Sequence, residues 1–193
     1  MDTDRIAIRH SGPDDVAGIV ALYPDAFPDE DLLPVVRALL GRADDVLSMV
    51  ALADHRVIGH VAFTICTVGE AADPAALLAP LGVTPARQRR GVGSALVRAG
   101  LQHMTTRGIA TALVLGDPAY YGRFGFVAET AIAPPYPLPA DWRPAWQSRR
   151  LGCGDAAISG QLVVPARGAS AACGRRDRGV GHAKLKRSIE SGP

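Results

Sequence analysis

Cysteine is scarce and unpatterned: Cys66, Cys153 and Cys173 are far apart and odd in number. That excludes a disulfide-stapled scaffold and the paired spacings of a zinc site, so free thiols in a reducing compartment are expected. Long apolar runs are also missing. The longest are too short, or too broken by Pro and charge, to span a bilayer. Met1-Asp2-Thr3-Asp4 is acidic where a secretory leader would be basic and then apolar. The expected home is the cytoplasm, with no membrane partner. Lysine is absent before residue 166. Residues 1–165 hold 14 Arg against 17 acids, net −3, whereas 166–193 hold seven cations against two acids, net +5. The basic balance therefore belongs to the tail, and the body does not read as a nucleic-acid binder.

A length of 193 residues suits one domain and a tail. A body of roughly 150 residues buries about 68–70% of its unfolded surface, enough for a core without staples. The expected division is a domain over 5–165 and a disordered basic tail over 166–193, where Gly, Ala, Ser and Arg lose all periodicity.

The segment 5–9 alternates and predicts a strand. Ser11 to Asp15 reads as a helix start, with Ser11 as the capping hydroxyl, and Val16, Ile19, Val20 and Tyr23 form one apolar face until Pro24–Pro28 breaks it. A second helix is expected from Asp29, with Pro34 in its first turn. The runs 46–53 and 57–68 flank the tight Asp54-His55-Arg56 turn as a hairpin. Residues 69–74 read as a loop. A strand over 77–84 contains Pro80, which cannot donate to a ladder, so a bulge or gap is expected there. A helix over 94–107, a strand over 109–115, a short helix capped by Asp117 and a strand over 126–132 follow. After a Pro-rich crossing, 145–151 and 158–164 are apolar segments expected to pair at the sheet edge.

Between the 77–84 strand and the 94–107 helix lies Gln88-Arg89-Arg90-Gly91-Val92-Gly93. Glycines let a turn aim successive N–H groups inward, and the following helix adds its positive end, so the turn suits a phosphate. Arg87, Arg89 and Arg90 add cations. No Lys-Ser/Thr follows the glycines, which excludes the Walker pattern, and the third glycine of the dinucleotide fingerprint is missing.

In this context Gln88-x-x-Gly91-x-Gly93, preceded by Leu81-Gly82-Val83-Thr84-Pro85, resembles the acyl-coenzyme A signature of the GCN5-related N-acetyltransferases (GNAT). Tyr121-Gly122-Arg123-Phe124-Gly125-Phe126 resembles that family's Tyr-x-x-x-Gly-Phe. The run Leu115 to Tyr121 and the strand Gly59 to Thr64 are similar to its YhbS-like branch. The resemblance covers about residues 5–132, and more loosely to 165. It implies an α/β (α+β) fold: a mixed, mostly antiparallel twisted sheet of six to seven strands, flanked by about four helices, with a splayed central strand pair. It implies acetyl-CoA as cosubstrate, with no metal, and acetyl transfer to a small-molecule or peptide amine by direct attack in a ternary complex. The competing reading is a non-catalytic acyl-CoA sensor on the same fold. Leu81, Gly82 and Val83 would run along the pantetheine arm, and Gln88, Arg89, Arg90, Gly91, Val92, Gly93 and Ser94 would hold the pyrophosphate. A monomer or homodimer is expected, with no nucleic-acid partner.

By the same resemblance Tyr121 is the acid that protonates the departing thiolate, with Tyr120 as the fallback; Phe124 and Phe126 read as core. The base stays open between Glu70, in the loop after the hairpin, and His60, on the strand. A water chain to a strand carbonyl is a further route, and His103 is expected to face solvent. A lysine-type amine of pKa ~10.4 needs about 4.6 kcal/mol to be neutral at pH 7, whereas an α-amino group of pKa ~7.8 needs only about 1 kcal/mol. Trp142 and Trp146 are candidates for an acceptor wall or for packing under the crossing.

Overall fold

The computed structural model describes residues 6–152 and 158–165. The expected tail, 166–193, lies outside the described residues, as do Cys153 and Cys173. β-Branched alternation builds the centre. Strands β1 (Ala7–His10), β2 (Val46–Ala53), β3 (Arg56–Val68) and β4 (Asp73–Val83) are successive antiparallel neighbours. Asp54 and His55 both have positive φ, 49° and 62°, as a two-residue type I′ hairpin requires. β4 begins four residues earlier than 77, which shortens the expected loop to 69–72.

The remaining elements are α1 (Val16–Ala26), α2 (Leu33–Leu40), α3 (Val92–Thr106), β5 (Thr111–Leu115), α4 (Pro118–Tyr121), β6 (Val127–Ala128), β7 (Ile132–Ala133), β8 (Trp146–Arg150) and β9 (Gly160–Val163). The sheet runs β1-β2-β3-β4-β5-β8-β6, with β9 pairing both β3 and β7. Along the main path only β4 and β5 are parallel. The described residues form nine strands where six to seven were expected, two of them, β6 and β7, only two residues long, within the expected mixed, mostly antiparallel sheet.

Period-2 alternation sends side chains to two cores. Met49, Ala51, Val61 and Phe63 pack with Leu96, Val97 and Leu101 of α3 on one face. Val50 packs with Ile19, Tyr23 and Val36 of α1 and α2 on the other. Each fully buried Leu, Val or Phe contributes about 1.5–3 kcal/mol.

Several local expectations are corrected. Ser11 does not cap the first helix; its hydroxyl donates to Ser48 Oγ at 2.6 Å, and the Asp15 carboxylate, paired with Arg9, accepts the Gly12 N–H at 2.7 Å. α1 continues through Pro24 to Ala26: the ring removes its own helical bond, and the ladder resumes beyond it, with the Phe27 N–H donating to Tyr23 O at 2.9 Å. The strand expected over 126–132 divides in two. Glu129 Oε1 accepts the amides of Ala131 and Ile132 at 2.6 and 3.0 Å, turning the chain out of the ladder. The segments around 145–151 and 158–164 do not pair with each other: β8 inserts between β5 and β6, and β9 joins β3 at Thr67 and Val68.

Candidate active site

β4 and β5 pair from Ala75–Thr111 to Leu78–Val114 and no further. The next residues of β4 are Ala79 and Pro80. Two β4 residues there oppose Ala62 of β3, because Val61 pairs Leu81 and Phe63 pairs Leu78. This is the expected bulge at Pro80, and it falls where the strands part. Beyond it a cleft of about 390 Å³ opens between the two strand ends. The Thr84 N–H donates to Ile58 O, so by alternation the N–H and C=O groups of Leu81 and Val83 face the open edge. Gln88 Nε2 already donates to Val83 O there, at 3.2 Å.

The glycine turn closes one end of the cleft. Gly91 has φ 84°, a left-handed conformation costly for other residues, and it precedes α3 with no side chain to cap the helix. The first-turn amides of α3 therefore keep their capacity for an external anion, to which the helix end adds ~0.3–1 kcal/mol per charge. A Cβ on Gly93 would stand 2.7 Å from the Tyr120 hydroxyl, which hydrogen-bonds Ser94. The turn and α4 are thus docked on each other.

At the other end Asp117 caps α4, its Oδ1 accepting the Ala119 N–H at 2.8 Å. This places Tyr121 against Gly116 in the cleft wall. Burial raises the Tyr121 phenol well above the usual tyrosine value, with Tyr120 and Asp117 adding to the rise, so it stays protonated.

Of the residues expected to hold the cofactor, Leu81, Val83, Gln88, Arg89, Gly91, Gly93 and Ser94 line the cleft. Gly82 instead faces Leu22 and Tyr23 of α1, Arg90 is exposed, and Val92 is buried in the α3 core.

The two base candidates are not in the cleft. Glu70 is exposed at the tip of the β3–β4 hairpin, and the strand from Asp73 to the first cleft residue, Leu78, already spans roughly 17 Å. His60 is 1% exposed, and both ring nitrogens are engaged: Nδ1 with the Tyr23 hydroxyl at 2.7 Å, Nε2 with Ser48 Oγ at 2.8 Å. Burial pulls its pKa down to about 4. His103 is half-buried and packs edge-on against His10 instead of facing solvent. Trp146 is core, its Nε1 donating to Ile132 O at 2.8 Å, and Trp142 is outside the cleft lining.

Other residues of the site carried no sequence signal. Arg123 lines the cleft with its guanidinium 4.5 Å from the centre of the Tyr120 ring. Gln147, fully buried on β8, donates to Gly116 O at 2.9 Å and so secures the turn beneath Tyr121. Ala26, Phe27, Leu32 and Val35 form the wall from α1 and α2. The amphipathic periodicity of those helices was the one available signal, and it does not say which apolar residues face a ligand. The arrangement can bind an anion at the turn, an extended chain on the open β4 edge and a reacting group beside Tyr121. No group of three or more metal-ligating side chains occurs among the described residues, and no helix there is long and apolar enough to cross a membrane.

Relatives carry the same architecture. The chain is 34% identical over 125 residues to an uncharacterized N-acetyltransferase, YjhQ of Escherichia coli K12, covering 62% of this chain and 69% of that one. It is 34% identical over 157 residues to a second, YhbS of the same organism, covering 79% and 90%. The crystal structure of E. coli YhbS in complex with CoA superposes with a TM-score of 0.76 at 30% identity, over 86% of this chain and 92% of that one. A Brucella melitensis GNAT acetyltransferase in complex with acetyl-CoA gives a TM-score of 0.68 at 28% identity, over 84% and 97%. The profile described as Acetyltransferase (GNAT) family matches residues 16–126, more than half the sequence. With the parted strands, the uncapped glycine turn and the tyrosine-bearing α4, this makes the chain a member of the GNAT acetyltransferase family, and hence an acyltransferase.

Proposed function

We propose that the protein transfers the acetyl group of acetyl-CoA to an amine by direct attack in a ternary complex. The observation that carries this reading is the cleft itself: one gap joins an uncapped helix N-terminus, an open β-strand edge and a buried, protonated tyrosine. These residues fit the cosubstrate. The amides from Arg89 to Ser94 would hold its pyrophosphate, with Arg89 and Arg123 adding charge. The exposed backbone groups of Leu81 and Val83 would bond its amide-bearing arm as a neighbouring strand does.

Tyr121 then stands beside the thioester and donates a hydrogen bond, and finally its proton, to the sulfur as charge develops there. A coenzyme A thiol is taken as near the ordinary value of about 8.5, so this proton need not come from a strong acid. Gln147 and Asp117 keep Tyr121 in place without touching the reacting atoms. The buried thiol of Cys66, with its pKa pushed up to about 12 by burial, has no part in the chemistry and is in keeping with a cytoplasmic home.

Titration of the full-length protein with acetyl-CoA in a calorimeter tests the reading. Saturable micromolar binding is expected, together with release of free thiol when an amine is added. No heat of binding at millimolar acetyl-CoA overturns it.

A further inference from the structure

The cleft is divided by chemistry. Its polar and charged side chains, Gln88, Arg89, Ser94, Asp117, Tyr120, Tyr121 and Arg123, belong to the glycine turn, the start of α3 and the stretch around α4. The wall from α1 and α2 contributes only apolar side chains: Ala26, Phe27, Leu32 and Val35. Phe27 is held from behind by the Tyr23 ring, stacked at 5.9 Å and 14°. Asp29, Glu30 and Asp31 line a separate recess that shares Phe27 and Leu32 with the cleft, and none of the three lines the cleft itself. The one carboxylate among the cleft residues is Asp117, whose Oδ1 is engaged by the Ala119 amide.

Among the described residues this lining holds no histidine and no glutamate, and the titratable groups that face the cleft are Arg89, Arg123, Asp117, Tyr120 and Tyr121. A guanidinium offers no acceptor lone pair, and burial keeps the two phenols protonated at neutral pH, so none of these four can take a proton from an ammonium. His60 is sealed under α1, and Glu70 is at the far end of the hairpin.

We infer that the acceptor is a primary α-amine on a compact apolar body, as in an amide of an apolar amino acid or a peptide N-terminus beginning with one, and that it reacts as the free base it brings from solution. The inference rests on the acetyl-transfer reading above and names its acceptor. At pH 7 an α-amine is about one part in seven neutral, whereas a lysine-type amine is about one part in 2,500 neutral. A cleft whose described lining offers no histidine or glutamate, and whose one carboxylate is spent on capping α4, favours the first by up to that ratio, about 350-fold. An apolar wall disfavours the charged form further, and it rewards an apolar body. In the transfer, the nitrogen lone pair forms the new C–N bond to the carbonyl carbon as the C–S bond breaks. The sulfur takes the Tyr121 proton, the surplus proton on nitrogen goes to water, and water reprotonates Tyr121.

The test uses the full-length protein, acetyl-CoA and a thiol-release readout with phenylalaninamide, phenethylamine, glycinamide, Phe-Gly-Gly and spermidine. Phenethylamine has the same apolar body but a lysine-type amine, and glycinamide has the α-amine without the body. At pH 7 phenylalaninamide is expected to exceed phenethylamine in kcat/KM by about 100-fold, with the gap closing as pH rises toward 10. It is expected to exceed glycinamide by about 10-fold, a ratio of the size one aromatic contact gives. Phe-Gly-Gly at or above phenylalaninamide identifies a peptide end as the source, and the reverse identifies a free amino-acid derivative. Either result supports the inference. Val35, half-exposed on α2, tolerates a polar replacement. Val35→Glu should cut kcat/KM for phenylalaninamide about 10-fold and leave acetyl-CoA affinity unchanged. Equal rates for phenethylamine and phenylalaninamide at pH 7, a preference for spermidine, or an unaffected Val35→Glu enzyme overturns the inference and leaves acetyl transfer standing. Acetyl-CoA binding with no amine acetylated overturns both.

Discussion

The Tyr23 hydroxyl and His60 Nδ1 are 2.7 Å apart, with both side chains 1% exposed. Through Nε2 the ring reaches Ser48, which in turn accepts from Ser11, so one imidazole ties α1 to the inner strands β2 and β3. A neutral ring donates at one nitrogen and accepts at the other, which satisfies both partners.

Stability should therefore depend on acid. The folded His60 pKa is about 4, while an unfolded histidine titrates near 6.5. Above pH ~6.5 the ring is neutral in both states and the full stability is present. As pH falls from 6.5 to 4 the unfolded chain takes up a proton that the folded one refuses, and up to about 3 kcal/mol is lost. Urea denaturation of the wild type and of His60→Gln at pH 7 and pH 4.5 checks this. The variant should show a smaller loss between the two, and equal losses would remove His60 as the cause.

Gly93→Ala should weaken acetyl-CoA binding about 10-fold. The added methyl would stand 2.7 Å from the Tyr120 hydroxyl, at the end of a stiff ring, so the turn or α4 must move. Adding Tyr120→Phe removes the clashing oxygen. Calorimetry should then find the double variant closer to wild type than the two single losses combined predict.

Tyr121→Phe should lower kcat by about 100-fold, the usual scale for a general acid, with acetyl-CoA affinity nearly unchanged. Because the Tyr121 pKa is raised, the wild-type rate should show no loss of this acid below pH 10. Steady-state rates across pH, with cofactor binding measured alongside, decide it; an unchanged kcat takes the acid role from Tyr121.

Asp117→Ala should cost about 1 kcal/mol of stability through the lost cap. It should also reduce kcat more than it raises Kd for acetyl-CoA, because α4 carries Tyr121 but not the glycine turn. Thermal melts and turnover checked together test this, and a variant with wild-type kcat would show that α4 holds its position without the cap.

What could be read in advance was local. Pro80 lacks an N–H wherever its strand lies, so its irregularity followed from the residue alone, and the bulge opposite Ala62 is there. Gly91 and Asp117 act through their own backbone and nearest amides, and the turn and the α4 cap stand where their spacing put them. The outline of the sheet followed from period-2 runs, because alternation reports burial of each strand face. Glu129 broke one such run, since a carboxylate that takes two following amides competes with the ladder.

The two proposed bases depended on contacts that no local pattern contains. His60 lies on an ordinary apolar strand in the sequence; its neutrality comes from α1 laid over it, 37 residues away, and from a Tyr23 hydroxyl aimed at its ring. Glu70 sits in a loop as expected, but the hairpin points that loop away from the cleft. Gln147 reaches Gly116 across 31 residues, and the apolar wall of Ala26, Phe27, Leu32 and Val35 exists only because α1 and α2 fold back over the parted strands. Turn chemistry and strand period are properties of a few consecutive residues, and the amino-acid order carries them directly. The protonation of a buried ring and the lining of a cleft are set by which distant surfaces exclude water together, and that is decided by packing.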